Sequence, residues 1–66
     1  MQVWINGESE LLSPETTIGQ ILVEKQLEGR RVAVELNEEI VPRSQHDSCK
    51  ISHGDRVEIV HAIGGG

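Results

Sequence analysis

Apolar positions of period two open the chain. In Gln2-Val3-Trp4-Ile5-Asn6, Val3 and Ile5 fall on one face of a strand and Trp4 on the other. Asn6-Gly7 follows, and this pair suits the two positive-φ positions of a type I′ hairpin turn. A second strand is therefore expected at 8–12, with Leu11 inward, stopped by Ser13-Pro14. The period then changes. Thr17 with Gln20 three positions later has the spacing of a capping box. Ile18, Ile21, Leu22 and Lys25 follow at helical spacing, flanked by Val23 and Leu27. Gly29 suits the left-handed residue that ends a helix, so the pattern predicts a helix over 17–28, with Gly19 in its first turn costing ~1 kcal/mol against Ala. Alternation returns over 31–36, where Val32, Val34 and Leu36 face inward. A turn is expected at Asn37-Glu38-Glu39, and a short strand at Ile40-Val41 is cut by Pro42, a residue confined to sheet edges. Residues 43–50 read as polar and irregular with one 3₁₀ turn, and His53-Gly54-Asp55 as a turn. The last strand is expected over 56–62, with Val57 and Ile59 inward.

The order ββαβββ, with one helix, predicts an α+β fold: one sheet with the helix across one face. The expected core is Val3, Ile5, Leu11, Ile18, Ile21, Leu22, Val32, Val34, Leu36, Val57 and Ile59. A chain of 66 residues, 36% apolar, supports one such core. Domains this short hide only ~60% of the surface that the unfolded chain exposes. Neither a second domain nor a cleft of several hundred Å³ is expected, which disfavours a self-contained enzyme.

Charge narrows the partners. Eleven acidic and six basic residues give a net charge of −5. Only Arg30 and Arg31 are adjacent basic residues, so the stripe that a nucleic-acid binder needs is missing and no nucleic-acid partner is expected. The acidity also argues against an anionic membrane surface and favours a partner with a basic docking face. Cys49 is the single cysteine, with no C-x-x-C partner for zinc or redox chemistry. No apolar run approaches the ~20 residues of a membrane span, and Met1-Gln2-Val3-Trp4 lacks the basic start of a secretory signal. The cytoplasm is the expected compartment.

The chain ends Ile63-Gly64-Gly65-Gly66. The glycines have no side chains to bury and lose the most entropy on ordering. Residues 1–63 are expected to form the domain and 64–66 a flexible tail. A frayed linker is one reading. The other makes the α-carboxylate of Gly66 the working group: glycine backbone threads a narrow enzyme channel, and without Cβ both faces of the terminal carbonyl are open. The compact acidic domain ahead of the tail favours the second.

Other residues point to less. Cys49 reads as a small, partly buried hydrophobe rather than a sulfur relay. His46, His53 and His61 lack metal-ligand spacing and are expected at the surface. Glu38 and Glu39 are neighbours in a turn, pointing apart. Glu24 and Glu28 read as a solvated face. Arg30 is expected near the helix C-terminus, and an edge-strand stop explains Pro42-Arg43 as well as partner contact does. No acid-base, nucleophile or metal constellation is visible, so no catalytic and no metal residue is assigned.

The pattern resembles ubiquitin and its β-grasp relatives, and more closely the ThiS family of thiamine-biosynthesis sulfur carriers. The similarity covers nearly the whole chain. It rests on Met1-Gln2-Val3, Thr17-Ile18, Val32-Ala33-Val34-Glu35-Leu36-Asn37, Ile40-Val41-Pro42-Arg43, Gly54-Asp55-Arg56-Val57-Glu58-Ile59 and the final Gly65-Gly66, with Gly64 an extra glycine. The resemblance implies a ubiquitin-like β-grasp: a mixed sheet of four to five strands with one helix on one face. It also implies that an E1-like activating enzyme uses ATP and magnesium to adenylate Gly66. Sulfur from a donor protein then replaces AMP, giving a thiocarboxylate that a thiazole synthase consumes. Gly64 and Gly65 would be recognised with the tail, and the chain itself would bind no cofactor. Two alternatives stand beside this: the small subunit of molybdopterin synthase, with the same terminal chemistry, and a non-reactive ubiquitin-like binding module. With the ubiquitin-like strand order 2-1-5-3-4, the sheet face away from the helix would carry Trp4, Ala33, Glu58, Val60 and Ala62. An exposed apolar patch of this kind marks an interface, and Trp is the most enriched anchor residue. The expectation is a docking face centred on Trp4 and Val60.

Overall fold

A computed structural model describes residues 1–61. Ala62, Ile63, Gly64, Gly65 and Gly66 lie outside the described residues, and with them the expected boundary between domain and tail. The strands are β1 (Gln2–Ile5), β2 (Glu8–Leu11), β3 (Val32–Leu36), β4 (Glu39–Val41) and β5 (Arg56–His61), with one helix, α1 (Ile18–Glu24), and a 3₁₀ turn at Arg43–Gln45. They form one sheet of order β2-β1-β5-β3-β4. Only the β1–β5 pair is parallel. This mixed sheet with one helix is a ubiquitin-like β-grasp.

Local chemistry accounts for the turns. Asn6 and Gly7 both take positive φ, 51° and 82°, as a two-residue type I′ hairpin demands. Asn37 and Glu38 repeat the geometry between β3 and β4, with φ of 51° and 71°, so Glu39 belongs to β4 rather than to the turn. The capping box forms as expected: the Gln20 amide donates to Thr17 Oγ1 at 3.2 Å, and the Thr17 amide donates to Gln20 Oε1 at 2.9 Å.

The helix is shorter than its sequence pattern. It ends at Glu24, with Lys25 as C-cap. Gln26 takes the left-handed conformation, φ 60°, where Gly29 was expected to. The Leu27 amide donates to the Leu22 carbonyl (2.8 Å) and the Gln26 amide to the Val23 carbonyl (3.0 Å). This paired closure is a Schellman motif. It turns Leu27 back against the core, so apolar packing ends the helix before the glycine does. Arg30 consequently falls well beyond the last helical turn, which holds no basic residue.

The core comprises Val3, Ile5, Ile18, Ile21, Leu22, Val34, Ile51, Val57 and Ile59, with Val32, Leu36, Leu12 and Cys49 packed against it. Leu11 is not part of it and is 81% exposed. Its register partner is Gln2, whereas Glu10 pairs with the fully buried Val3. Leu11 therefore lies on the face opposite the core, and Leu12, past the end of β2, packs inward instead. Val41 and Ile51 are buried additions that no periodic pattern announced. His46 is also buried, at 7% exposure. Its Nε2 lies 3.1 Å from the Val41 carbonyl, and its own carbonyl accepts from the Gly19 amide at 2.8 Å. The irregular segment is thus seated against the helix, and a Cβ at Gly19 would run into the Asp47 carboxylate.

Candidate functional site

The helix covers one face of the sheet, and the other face stays open. On β1, Val3 and Ile5 point to the helix and Trp4 points away. The registers extend this face across the sheet. Trp4 stands beside Arg56, Ala33 is opposite Val60, Glu35 is opposite Glu58, and Ile40 is opposite Glu35. Trp4, Ala33, Glu58 and Val60 are therefore brought to one surface, while Ala62 lies outside the described residues. Trp4 is 38% exposed, Val60 55% and Ile40 74%.

Sequence reasoning missed Ile40, Leu11, Glu35 and Arg56 on this face. Ile40 was readable as the outward residue of a strand whose Val41 faces in. Leu11 needed the register of the first hairpin. Beside Trp4 lies a cleft of about 230 Å³, lined by Trp4, Gly7, Glu38, Arg56, Val57 and Glu58. The Arg56 guanidinium approaches Glu38 at 3.8 Å across its rim, both side chains exposed. An ion pair this open adds little stability.

The strand that carries Glu58 and Val60 is also the strand that leads to the tail. β5 lies between β1 and β3 and ends at His61, opposite Val32. Gly66 is five residues further along the chain, so no more than ~18 Å of extended backbone separates it from His61. Gly64, Gly65 and Gly66 lie outside the described residues, and their expected role is neither placed nor displaced by the fold.

Around this face the remaining polar residues have structural tasks. Asn6 Oδ1 accepts from the Ile59 amide at 2.7 Å. Asn37 receives the Arg56 amide on Oδ1 at 2.9 Å and donates to Asp55 Oδ1 at 3.0 Å. Arg43 donates to the Arg30 carbonyl at 3.0 Å. His53 Nδ1 accepts from the Gln2 amide at 3.1 Å, and both His53 and His61 are exposed. Among the described residues no group of three His, Cys, Asp or Glu is placed to hold a metal ion. No helix among them is long and apolar enough to cross a membrane. A shallow open depression of about 480 Å³ is lined by Ser13, Pro14, Glu15, Thr16, Gln20, Val23 and Glu24.

Residues 3–66 match the ThiS family. The chain belongs to the ThiS family. It is 36% identical over 63 residues to the sulfur carrier protein ThiS of Bacillus subtilis, a match covering 94% of this chain and 96% of that protein. It is 44% identical over 66 residues to a thiazole synthase of Paramagnetospirillum magneticum. There the chain spans only 20% of the relative's length, and the same share of a thiazole synthase from Magnetococcus marinus, at 33% identity. Among solved structures, the crystal structure of the thiamine biosynthesis protein ThiS from Geobacter metallireducens superposes with a TM-score of 0.86 at 28% identity, covering 100% of both chains. The described residues of this ThiS-family protein thus share the β-grasp fold of a solved ThiS relative.

Proposed function

We propose that this ThiS-family protein carries sulfur on the carboxyl group of Gly66 for construction of the thiamine thiazole ring, as a protein co-substrate of larger enzymes in the cytoplasm. The observation that carries the reading is the family match over residues 3–66, which runs through the final Gly64-Gly65-Gly66. The near full-length similarity to a Bacillus subtilis sulfur carrier supports it. So does the 44% identity to part of a protein named thiazole synthase, where the carrier-like sequence and the synthase share one polypeptide.

The chemistry follows from the inertness of a carboxylate. It is anionic, and its leaving group would be oxide. An adenylating partner uses ATP with magnesium to form the Gly66 acyl-adenylate and release pyrophosphate. A sulfur donor then attacks the carbonyl carbon, the acyl-phosphate bond breaks, and AMP leaves. The exchange proceeds directly with sulfide, or from a cysteine persulfide to give an acyl-disulfide to a partner cysteine, which a second thiol then reduces, forming a disulfide and releasing the thiocarboxylate. The product, a Gly66 thiocarboxylate, presents a nucleophilic sulfur to the thiazole synthase. The β-grasp body supplies recognition: Trp4 and Val60 anchor the partner with Ala33, Glu58 and Ala62 around them, and Gly64 and Gly65 let the terminus enter a narrow active-site channel.

Incubation with a ThiS-activating enzyme, ATP and a sulfur donor, followed by intact mass, tests this. The expected result is a mass gain equal to one oxygen exchanged for one sulfur, located on Gly66 by fragmentation. An unchanged mass with an enzyme that loads a known ThiS overturns the proposal. Transfer to a molybdopterin-synthase large subunit instead of a thiazole synthase would overturn the pathway and leave the carrier chemistry standing.

A further inference from the structure

Trp4, Ala33, Val60 and Ile40 make the open face apolar, yet two carboxylates stand in its middle. Glu35 on β3 and Glu58 on β5 are direct cross-strand partners, and both point to this face. Like charges opposite each other in an antiparallel pair repel and lower stability. Among the described residues neither carboxylate has an ion-pair partner within 4.0 Å. Among the described residues the ion pairs join Lys25 to Glu10, Lys50 to Glu15 and Arg56 to Glu38, and none reaches Glu35 or Glu58. Arg56, two positions before Glu58 on the same strand, is turned toward Glu38.

A second copy of the chain does not suit this face. Stacking two such sheets would bring four carboxylates into one desolvated layer, where unpaired charges are strongly disfavoured. A partner that brings positive charge to the same point satisfies both features. An arginine fork holds carboxylates through parallel charge-assisted hydrogen bonds, and its methylene stem packs on apolar neighbours, here Ala33 and Val60.

We propose that the partner covering this face inserts one basic side chain, an arginine or a lysine, between Glu35 and Glu58 while its apolar side chains cover Trp4, Val60 and Ile40. This rests on the docking role proposed above and adds the chemistry of the surface that docks. The like-charge pair then weakens the free domain slightly and rewards the correct complex, a use of charge for partner selection.

The test compares the wild-type chain, E35Q/E58Q and Trp4→Ala in binding to a ThiS-activating enzyme by titration calorimetry, at low and high ionic strength. E35Q/E58Q is expected to weaken binding at least about fivefold and to flatten its salt dependence. Its thermal midpoint should rise by about 1–5 °C as the repulsion is removed. Wild-type affinity and salt dependence in E35Q/E58Q, with Trp4→Ala weakened, would remove the basic side chain and leave the docking face standing. Wild-type binding by both variants would overturn the docking role as well. A lowered midpoint in E35Q/E58Q would show that the two carboxylates do not repel, and the inference would fail on that ground.

Discussion

Asn6 should hold more of this fold than any other turn residue, because it works at two levels. Its backbone has φ of 51°, a conformation that Asn tolerates and Ala does not. Its side chain extends a ladder that its backbone cannot. The parallel β1–β5 pairing covers only Trp4↔Arg56 and Ile5↔Val57. The Trp4 amide donates to Asp55 and the Asn6 amide to Val57. Beyond that point β1 turns away into the hairpin, and Asn6 Oδ1 takes the Ile59 amide at 2.7 Å in its place. Substitution by Ala strands that part-buried amide, at ~1–3 kcal/mol, and adds ~1–2 kcal/mol for the left-handed backbone. The sum, ~2–5 kcal/mol, is a large share of the ~3–10 kcal/mol available to a domain of this length. Asn6→Gly keeps the backbone and loses only the hydrogen bond, so it should cost about half as much. Urea unfolding followed by the fluorescence of Trp4, the single tryptophan, measures both. The thermal midpoint of Asn6→Ala should fall by ~10–40 °C. If both variants unfold within ~0.5 kcal/mol of wild type, the side chain does not complete the ladder and the reasoning is wrong.

Other outcomes follow from the same coordinates. Leu11→Gln should change stability by under ~0.5 kcal/mol, whereas Ile51→Ala should cost ~2–5 kcal/mol; equal losses in urea unfolding would refute the hairpin register. His46→Ala should destabilise by ~1–3 kcal/mol, because the buried Val41 carbonyl loses its partner, and wild-type urea stability would contradict that. Trp4→Ala should weaken binding to the activating enzyme about 30-fold, the size of an anchor residue's contribution; unchanged affinity would remove Trp4 from the interface. Deleting Gly66 should abolish sulfur loading in the mass assay while the thermal midpoint stays put, and a collapse of that midpoint would show that the terminus belongs to the fold.

How far the sequence was legible depends on the range of the interaction that decided each feature. Asn6-Gly7, Thr17 with Gln20 and the alternation over 31–36 are local, and each appears where the pattern put it. The helix end failed because Leu27 packs on a core built from distant strands, a tertiary demand that took precedence over the glycine signal at 29. Leu11 failed for a different reason, because the local register set by Asn6-Gly7 was not carried along the second strand. A two-residue turn fixes which residues oppose each other, so Glu10 rather than Leu11 falls opposite Val3. Glu10 is then partly sheltered beside Lys25, with 2.6 Å between their charged atoms. His46 and Ile51 lie in a segment with no period to read, and only the pairing of Gly19 with His46 and of Ile51 with Thr16 reveals why they are inside. The open face was legible in part: alternation placed Trp4 and Val60, but the pairing of Glu35 with Glu58 depends on the register of strands more than twenty residues apart in the chain.

The strand order gives the proposed chemistry a mechanical economy. β5 is central in the sheet, paired with β3 over Val57–His61 and with β1 over Arg56 and Val57, and core strands are the last to fray. It carries Glu58 and Val60 on the open face and the chain then continues to Gly66. A partner that closes over Val60 would therefore grip the strand from whose end the chain continues toward Gly66, the residue proposed to carry sulfur. Three glycines, which lose the most freedom on ordering, would make a poor handle by themselves. Binding at the sheet instead raises the local concentration of the terminus at the partner's active site, as any tether of suitable length does. Recognition can then be strict at Val60 on β5 and at Trp4 on the neighbouring β1, so the residues that select the partner are separate from the glycine proposed to react.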